Sequence, residues 1–117
     1  MGYCRAVRVG SHVFVAGTAP QWPDGTVAES VADQARRCFE IIAAALAEAG
    51  SGLDDVVRTR VFLVDAGDFE AVAAVHGELF AEIRPVNTTL VVAGLLDPRW
   101  RLEVEVEAVV SPGGTGW

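Results

Sequence analysis

The chain has 117 residues, 51% of them hydrophobic, and a formal net charge of −7. That length fits one domain, residues 1–117, with enough apolar material for a core. The acidic balance disfavours a nucleic-acid backbone or an anionic membrane surface as partner. No run approaches the ~18 apolar residues of a membrane span.

Along the chain, RAVRVGSHVFVA (5–16) is two β-rich runs split by Gly10-Ser11, a two-residue type II′ hairpin signal. A loop follows over 17–29, marked by Gly17, Pro20, Pro23 and Asp24-Gly25. The next stretch, to Gly50, keeps apolar residues at helical spacing, with Ser30 as cap and Gly50 as stop. VVRTRVFLV (56–64) is a strand. Asp68 is placed to cap a second helix, FEAVAAVHGELFAEI, which must end before Arg84-Pro85. NTTLVVAGLL (87–96) is a strand region, Asp97-Pro98 a turn, and RLEVEVEAVV (101–110) a strand with clean alternation. The end, residues 110–117, reads as a loose tail. The order is ββαβαββ.

Two helices can cover one face of such a sheet. VFVA, VFLV and TLVVAGLL are apolar on both sides, so the second face needs a cover as well. The chain has nothing left to supply it, and a homo-oligomer closing its sheets face to face is the simplest answer.

Few residues carry obvious chemistry. Cys4 and Cys38 are too few for a disulfide framework, and the start MGYCRAVRVG has no apolar signal core. A reducing, cytoplasmic setting is the expectation. Two distant histidines, His12 and His76, do not make a metal site; His76 reads as a surface or helix-packing side chain. Glu103, Glu105 and Glu107 share the polar face of the last strand, where Arg58 and Arg60 have matching spacing for cross-strand pairs. Trp22 could lid a pocket or patch a core edge, and Arg99-Trp100-Arg101 could form a cleft rim, with a solvated turn the safer reading.

Several words in order give the chain a resemblance. They are the Tyr3 segment, FVAGTAP (14–20), QARRCFEIIAAALAEAG in the first helix, DDVVRTRVFLVDAGDFEAV (54–72), Arg84-Pro85 with small polar residues to 89, and EVEAVV (105–110). Together they resemble the Rid (YjgF) family of small enamine/imine deaminases, from about Tyr3 to Val110. The resemblance implies an α+β, chorismate-mutase-like (YjgF-like) fold: a mixed sheet with two helices on one face. It also implies a homotrimer with a barrel-like core and clefts between subunits.

In function, it implies hydrolysis of an imine or enamine, with a small molecule as substrate and no cofactor or metal. On this sequence the family's water-positioning glutamate falls on Glu107, its loop glycine on Gly17 and its tyrosine on Tyr3. Asn87, Thr88 and Thr89 would line the pocket. The chain departs from the pattern where the carboxylate-gripping arginine should stand, two residues after Pro85; Asn87 is there instead. Ala16 replaces the serine before the loop glycine, and Thr89 a cysteine found in many members. A neutral amide is a weaker partner for a carboxylate than a guanidinium. Three readings stay open. Arg5, Arg84, Arg99 or Arg101 could replace the grip, the substrate could lack a carboxylate, or the scaffold could be a non-catalytic binding or regulatory protein. Some members are described as ribonucleases, which an acidic chain with no basic stripe makes unattractive.

Overall fold

The computed structural model describes residues 1–111. The elements are β1 (Ala6–Val9), β2 (His12–Thr18), α1 (Val31–Glu48), β3 (Val56–Leu63), α2 (Phe69–Phe80), β4 (Val86–Val91) and β5 (Leu102–Val109). They form one five-stranded sheet in the order β1-β2-β5-β3-β4. β3 and β4 run parallel, joined through α2, and the other pairs are antiparallel. Both helices lie on one face, as expected for the α+β, YjgF-like fold.

Local chemistry accounts for the ends of the elements. Gly10 takes a φ of +60° while Ser11 keeps a negative one, which is the type II′ pattern. Ser30 caps α1 by accepting the Asp33 N–H at 3.1 Å, a bond whose loss typically costs about 1 kcal/mol. Gly50, at φ +78°, lets the chain turn so that the Ser51 N–H reaches the Leu46 carbonyl at 2.8 Å.

Several expected boundaries move. The expected side-chain cap at Asp68 is not made; its carboxylate takes the Arg101 guanidinium instead, Nε to Oδ2 at 3.1 Å. α2 stops at Phe80, and Arg84 closes it with a φ of +55° and an N–H to the Phe80 carbonyl at 2.8 Å. β4 ends at Val91 and does not reach 96. Its one neighbour, β3, ends at Leu63, whose carbonyl takes the Val92 N–H as the last bond. Val110, placed in the expected tail, still pairs through its N–H with the Ser11 carbonyl at 2.7 Å. The rest of that expectation, residues 112–117, lies outside the described residues.

The core lies between helices and sheet. Phe39, Ile42, Leu46 and Phe80 from the helices meet Val13, Val61, Leu63, Leu102 and Val104 from the strands, all buried. The opposite face is different. The register puts Val7, Phe14, Glu107, Arg58 and Val86 in one row across it. In the single chain Phe14 is 47% and Val86 58% exposed. Apolar side chains therefore stand uncovered around a charged centre. Among the described residues no helix is long and apolar enough to cross a membrane.

Candidate active site

Side chains alternate between the faces of a strand. This rule separates residues that sit together in the sequence. Asn87 stands opposite Thr59 and Thr89 opposite Val61, so both point to the helix face. Thr88 stands opposite Arg60, on the other face with Glu105 and Glu107. The named side chains gather in three places.

The first is a polar row on the helix face at the β4 edge. The amide Nδ2 of Asn87 donates to Thr59 Oγ1 at 2.9 Å and, more weakly, to the Thr59 carbonyl at 3.4 Å. Thr59 Oγ1 is also 2.9 Å from His76 Nε2. Thr89 Oγ1 donates to Asn87 Oδ1 at 2.9 Å. The row borders a cavity of about 230 Å³ floored by Val61, Phe69 and Val72 and walled by His76, Asn87 and Thr89. Burial pushes the His76 imidazole below its ordinary pKa, because Phe39 and Phe80 crowd the ring and exclude water.

The second place surrounds Gly17. Arg5 donates to the Gly17 carbonyl at 2.9 Å and to Thr18 Oγ1 at 3.3 Å, and its guanidinium sits 5.9 Å from the Tyr3 ring centre. The carboxylate here is Glu103. Its Oε2 lies 3.0 Å from where a Cβ on Gly17 would stand, so a side chain at 17 would push against it. Burial raises the Glu103 carboxyl above its ordinary pKa, an effect that Arg5 offsets and Glu105 adds to. The β2 register shifts between Val15 and Thr18, and this irregularity brings Gly17 towards Glu103.

The third place is the charged centre of the uncovered face. Arg60 Nη1 reaches Glu105 at 2.7 Å and Glu107 at 3.4 Å, and Arg58 Nε lies 3.9 Å from Glu107. The expected cross-strand pairs are therefore made. Glu107 borders a cavity of about 310 Å³ together with Cys4, Phe14, Ala16 and the two arginines.

The four arginines that could replace the missing grip differ in availability. Arg5 is at Gly17. Arg84 serves the end of α2 through its backbone. Arg99 is held by Asp97 and the Gly25 carbonyl, and Arg101 by Asp68 and the Glu29 carbonyl. Trp22 covers Arg37, 3.8 Å from ring centre to guanidinium carbon, and Arg37 shares a hollow with Arg5 beside the second place. Among the described residues no group of three or more His, Cys, Asp or Glu side chains could hold a metal ion.

Sequence reading passes over Thr59, makes His76 a surface or helix-packing side chain and leaves Glu103 structural; His76 does pack against Phe39 and Phe80. Thr59 and His76 are 17 residues apart, and only the packing of α2 on the sheet joins them. Nothing local marks Glu103 off from Glu105, because the strand irregularity that distinguishes them lies in β2.

Comparison with known proteins agrees with this architecture. The family model described as Endoribonuclease L-PSP matches residues 1–110. A protein of Streptomyces coelicolor is 44% identical over 108 residues, covering 92% of this chain and 81% of the relative. The 2-iminobutanoate/2-iminopropanoate deaminase of Salmonella typhimurium is 36% identical over 111 residues, covering 92% of this chain and 84% of the relative. Among solved structures, a YjgF/YER057c/UK114 family member from Mycobacterium tuberculosis superposes with a TM-score of 0.86 at 39% identity, covering 92% of this chain and 86% of that one. Escherichia coli TdcF with bound serine gives 0.88 at 33% identity, covering 95% and 90%. The chain thus belongs to the endoribonuclease L-PSP family, the YjgF/Rid family, some of whose members are named as deaminases of imines.

Proposed function

We propose that this protein hydrolyses a small imine or enamine at a cleft between copies of the chain, as a homotrimer. The observation that carries the reading is the division of the candidate residues between two faces of one sheet. Asn87 and Thr89 open into a cavity at an edge strand on the helix face. Glu107 stands with Arg58 and Arg60 at a charged centre ringed by apolar side chains, on a face uncovered in the single chain. A neighbouring copy packed on that face would cover the apolar surface and bring its own strand edge near the carboxylates.

In this reading Glu107 takes a proton from water as the oxygen bonds to the imine carbon. It returns the proton to the nitrogen of the protonated imine's adduct, then accepts the hydroxyl proton as the C–N bond breaks. A carbonyl product and ammonia leave, and Glu107 passes that last proton to solvent. The Gly17 N–H and Tyr3 hold the substrate from one side, and Asn87 and Thr89 from the other. Thr88, on the carboxylate face, would line the wall beside Arg60. A protonated imine is already a strong electrophile, so this chemistry calls for no metal or organic cofactor.

The test is ammonia release from freshly generated 2-aminoacrylate and from imines with and without a carboxylate. Turnover of at least one class, lost in Glu107→Gln, supports the reading. Turnover of none, with ligand binding retained, turns it to a binding protein. Asn87 favours that second reading in one respect, since its amide hydrogens are already engaged by Thr59.

A further inference from the structure

The hydrogen bonds of the β4 row have a direction, and the direction decides what the cavity offers a ligand. The Asn87 amide sits beside the Thr59 carbonyl, which can only accept, so Nδ2 is the group that faces it. The other end, Oδ1, then faces Thr89 and accepts its hydroxyl hydrogen. Thr59 Oγ1 accepts from Asn87 Nδ2, which leaves its own hydrogen for His76 Nε2. Among the described residues Thr59 Oγ1 bonds only to Asn87 Nδ2 and His76 Nε2. A hydrogen on Nε2 would make the buried hydroxyl accept twice and strand its own hydrogen. The bare nitrogen of a neutral ring is therefore the state that pairs every group. Burial of the ring favours that neutral form.

We infer that His76 is a positioning residue: acting through Thr59, it holds the Asn87 amide with its hydrogens turned inward and its oxygen towards the cavity, so that the site selects a neutral ligand bearing an N–H over a carboxylate. Thr59 is fully buried, so water does not compete for its hydroxyl. The other arrangement that leaves no group unpaired reverses every bond. A hydrogen on Nε2 would let Thr59 donate to Asn87 Oδ1, and the amide hydrogens would then face Thr89 and the cavity. That reversal sets Oδ1 against the Thr59 carbonyl, where two acceptors repel. The inference rests on the reading of this cavity as a ligand site. It adds the class of ligand, an amide-like or imine-like N–H group.

The experiment does not depend on turnover. The ring nitrogens of His76 are followed by ¹⁵N NMR in the intact protein, and propionamide and propionate are titrated as matched probes while the Asn87 side-chain amide signals are recorded. The expected result is an unprotonated Nε2 at neutral pH and a preference for propionamide of about tenfold, the scale of one neutral hydrogen bond. In His76→Phe the Thr59 hydroxyl loses its acceptor and the preference falls to about twofold or less. Thr59→Val, which cuts the link and leaves His76 in place, gives the same loss. A hydrogen on Nε2, equal or tighter binding of propionate to the wild type, perturbation of Asn87 by neither probe, or an unchanged preference in both variants each overturns the inference. Absence of ammonia release from any imine, with the propionamide preference intact, defeats the deaminase reading alone.

Discussion

Asn87 and Glu107 belong to adjacent rows of one sheet and point to opposite sides of it. Asn87 pairs with Thr59 on β3, and Glu107 pairs with the residue just before it, Arg58. One chain cannot bring them to the same small molecule without a neighbour. That relationship ties the candidate chemistry to assembly.

If the uncovered face is the assembly surface, a charge among the apolar side chains around its centre dissociates the protein. Phe14→Asp places a carboxylate in the Glu107 row and adds to the repulsion there. Light scattering should give about three chains for the wild type and one for the variant, with helical content kept. A wild type that runs as a monomer sinks both the assembly and the shared cleft.

The two carboxylate candidates separate by mutation. Glu107→Gln should lower kcat for ammonia release by about 10²-fold or more if it handles the proton of the attacking water. Glu103→Gln should leave kcat within about tenfold and act mainly on KM, since Glu103 adjoins the Gly17 end of the site. The reverse pattern would move the proton-transfer role to Glu103.

Asn87→Arg restores the charged fork that the family pattern places there. Its expected effect is a rise in activity on acidic imines relative to neutral ones, measured as a ratio of kcat/KM. The same change breaks the Asn87 bonds to Thr59, so it should cost about 1 kcal/mol in urea denaturation.

His76 makes stability depend on pH. Its pKa is lowered in the folded protein, so the unfolded chain binds more protons once pH falls below the ordinary histidine value of about 6.5. Its contribution is full above that value and is lost as pH falls through the lowered folded value. The Tm of the wild type should fall more between about pH 7 and about pH 5 than that of His76→Phe. Parallel curves would remove His76 as the cause.

Gln34 should be the costliest polar side chain to replace. Its Nε2 donates to the Ala28 carbonyl at 2.8 Å and the Arg99 carbonyl at 3.0 Å, while Oε1 accepts the Arg101 N–H at 2.8 Å. It joins α1 to the loop before it and to the start of β5. Gln34→Leu leaves three backbone groups without partners in a buried place, an expected loss of about 3 kcal/mol by urea denaturation.

The sequence by itself determined the elements and the need for a cover on the second sheet face. Periodicity, caps and turn residues are local signals, and Ser30, Gly10 and the alternation of 101–110 act through neighbours a few residues away. It also placed the pairing of Arg58 and Arg60 with the glutamates, because equal spacing on two strands survives any register that faces them. Where strands and helices stop depended on tertiary partners. β4 ends because β3 does, and Asp68 leaves its cap because Arg101 comes within reach. Only the tertiary structure decided how the candidate residues divide. Asn87, Thr88 and Thr89 are consecutive in the chain, yet strand geometry sends the middle one to the other face. Thr59 and His76 join Asn87 only through the parallel pairing of β3 with β4 and the packing of α2 over it. These contacts are long-range, and the direction of a hydrogen-bond chain across them is set by all its members at once.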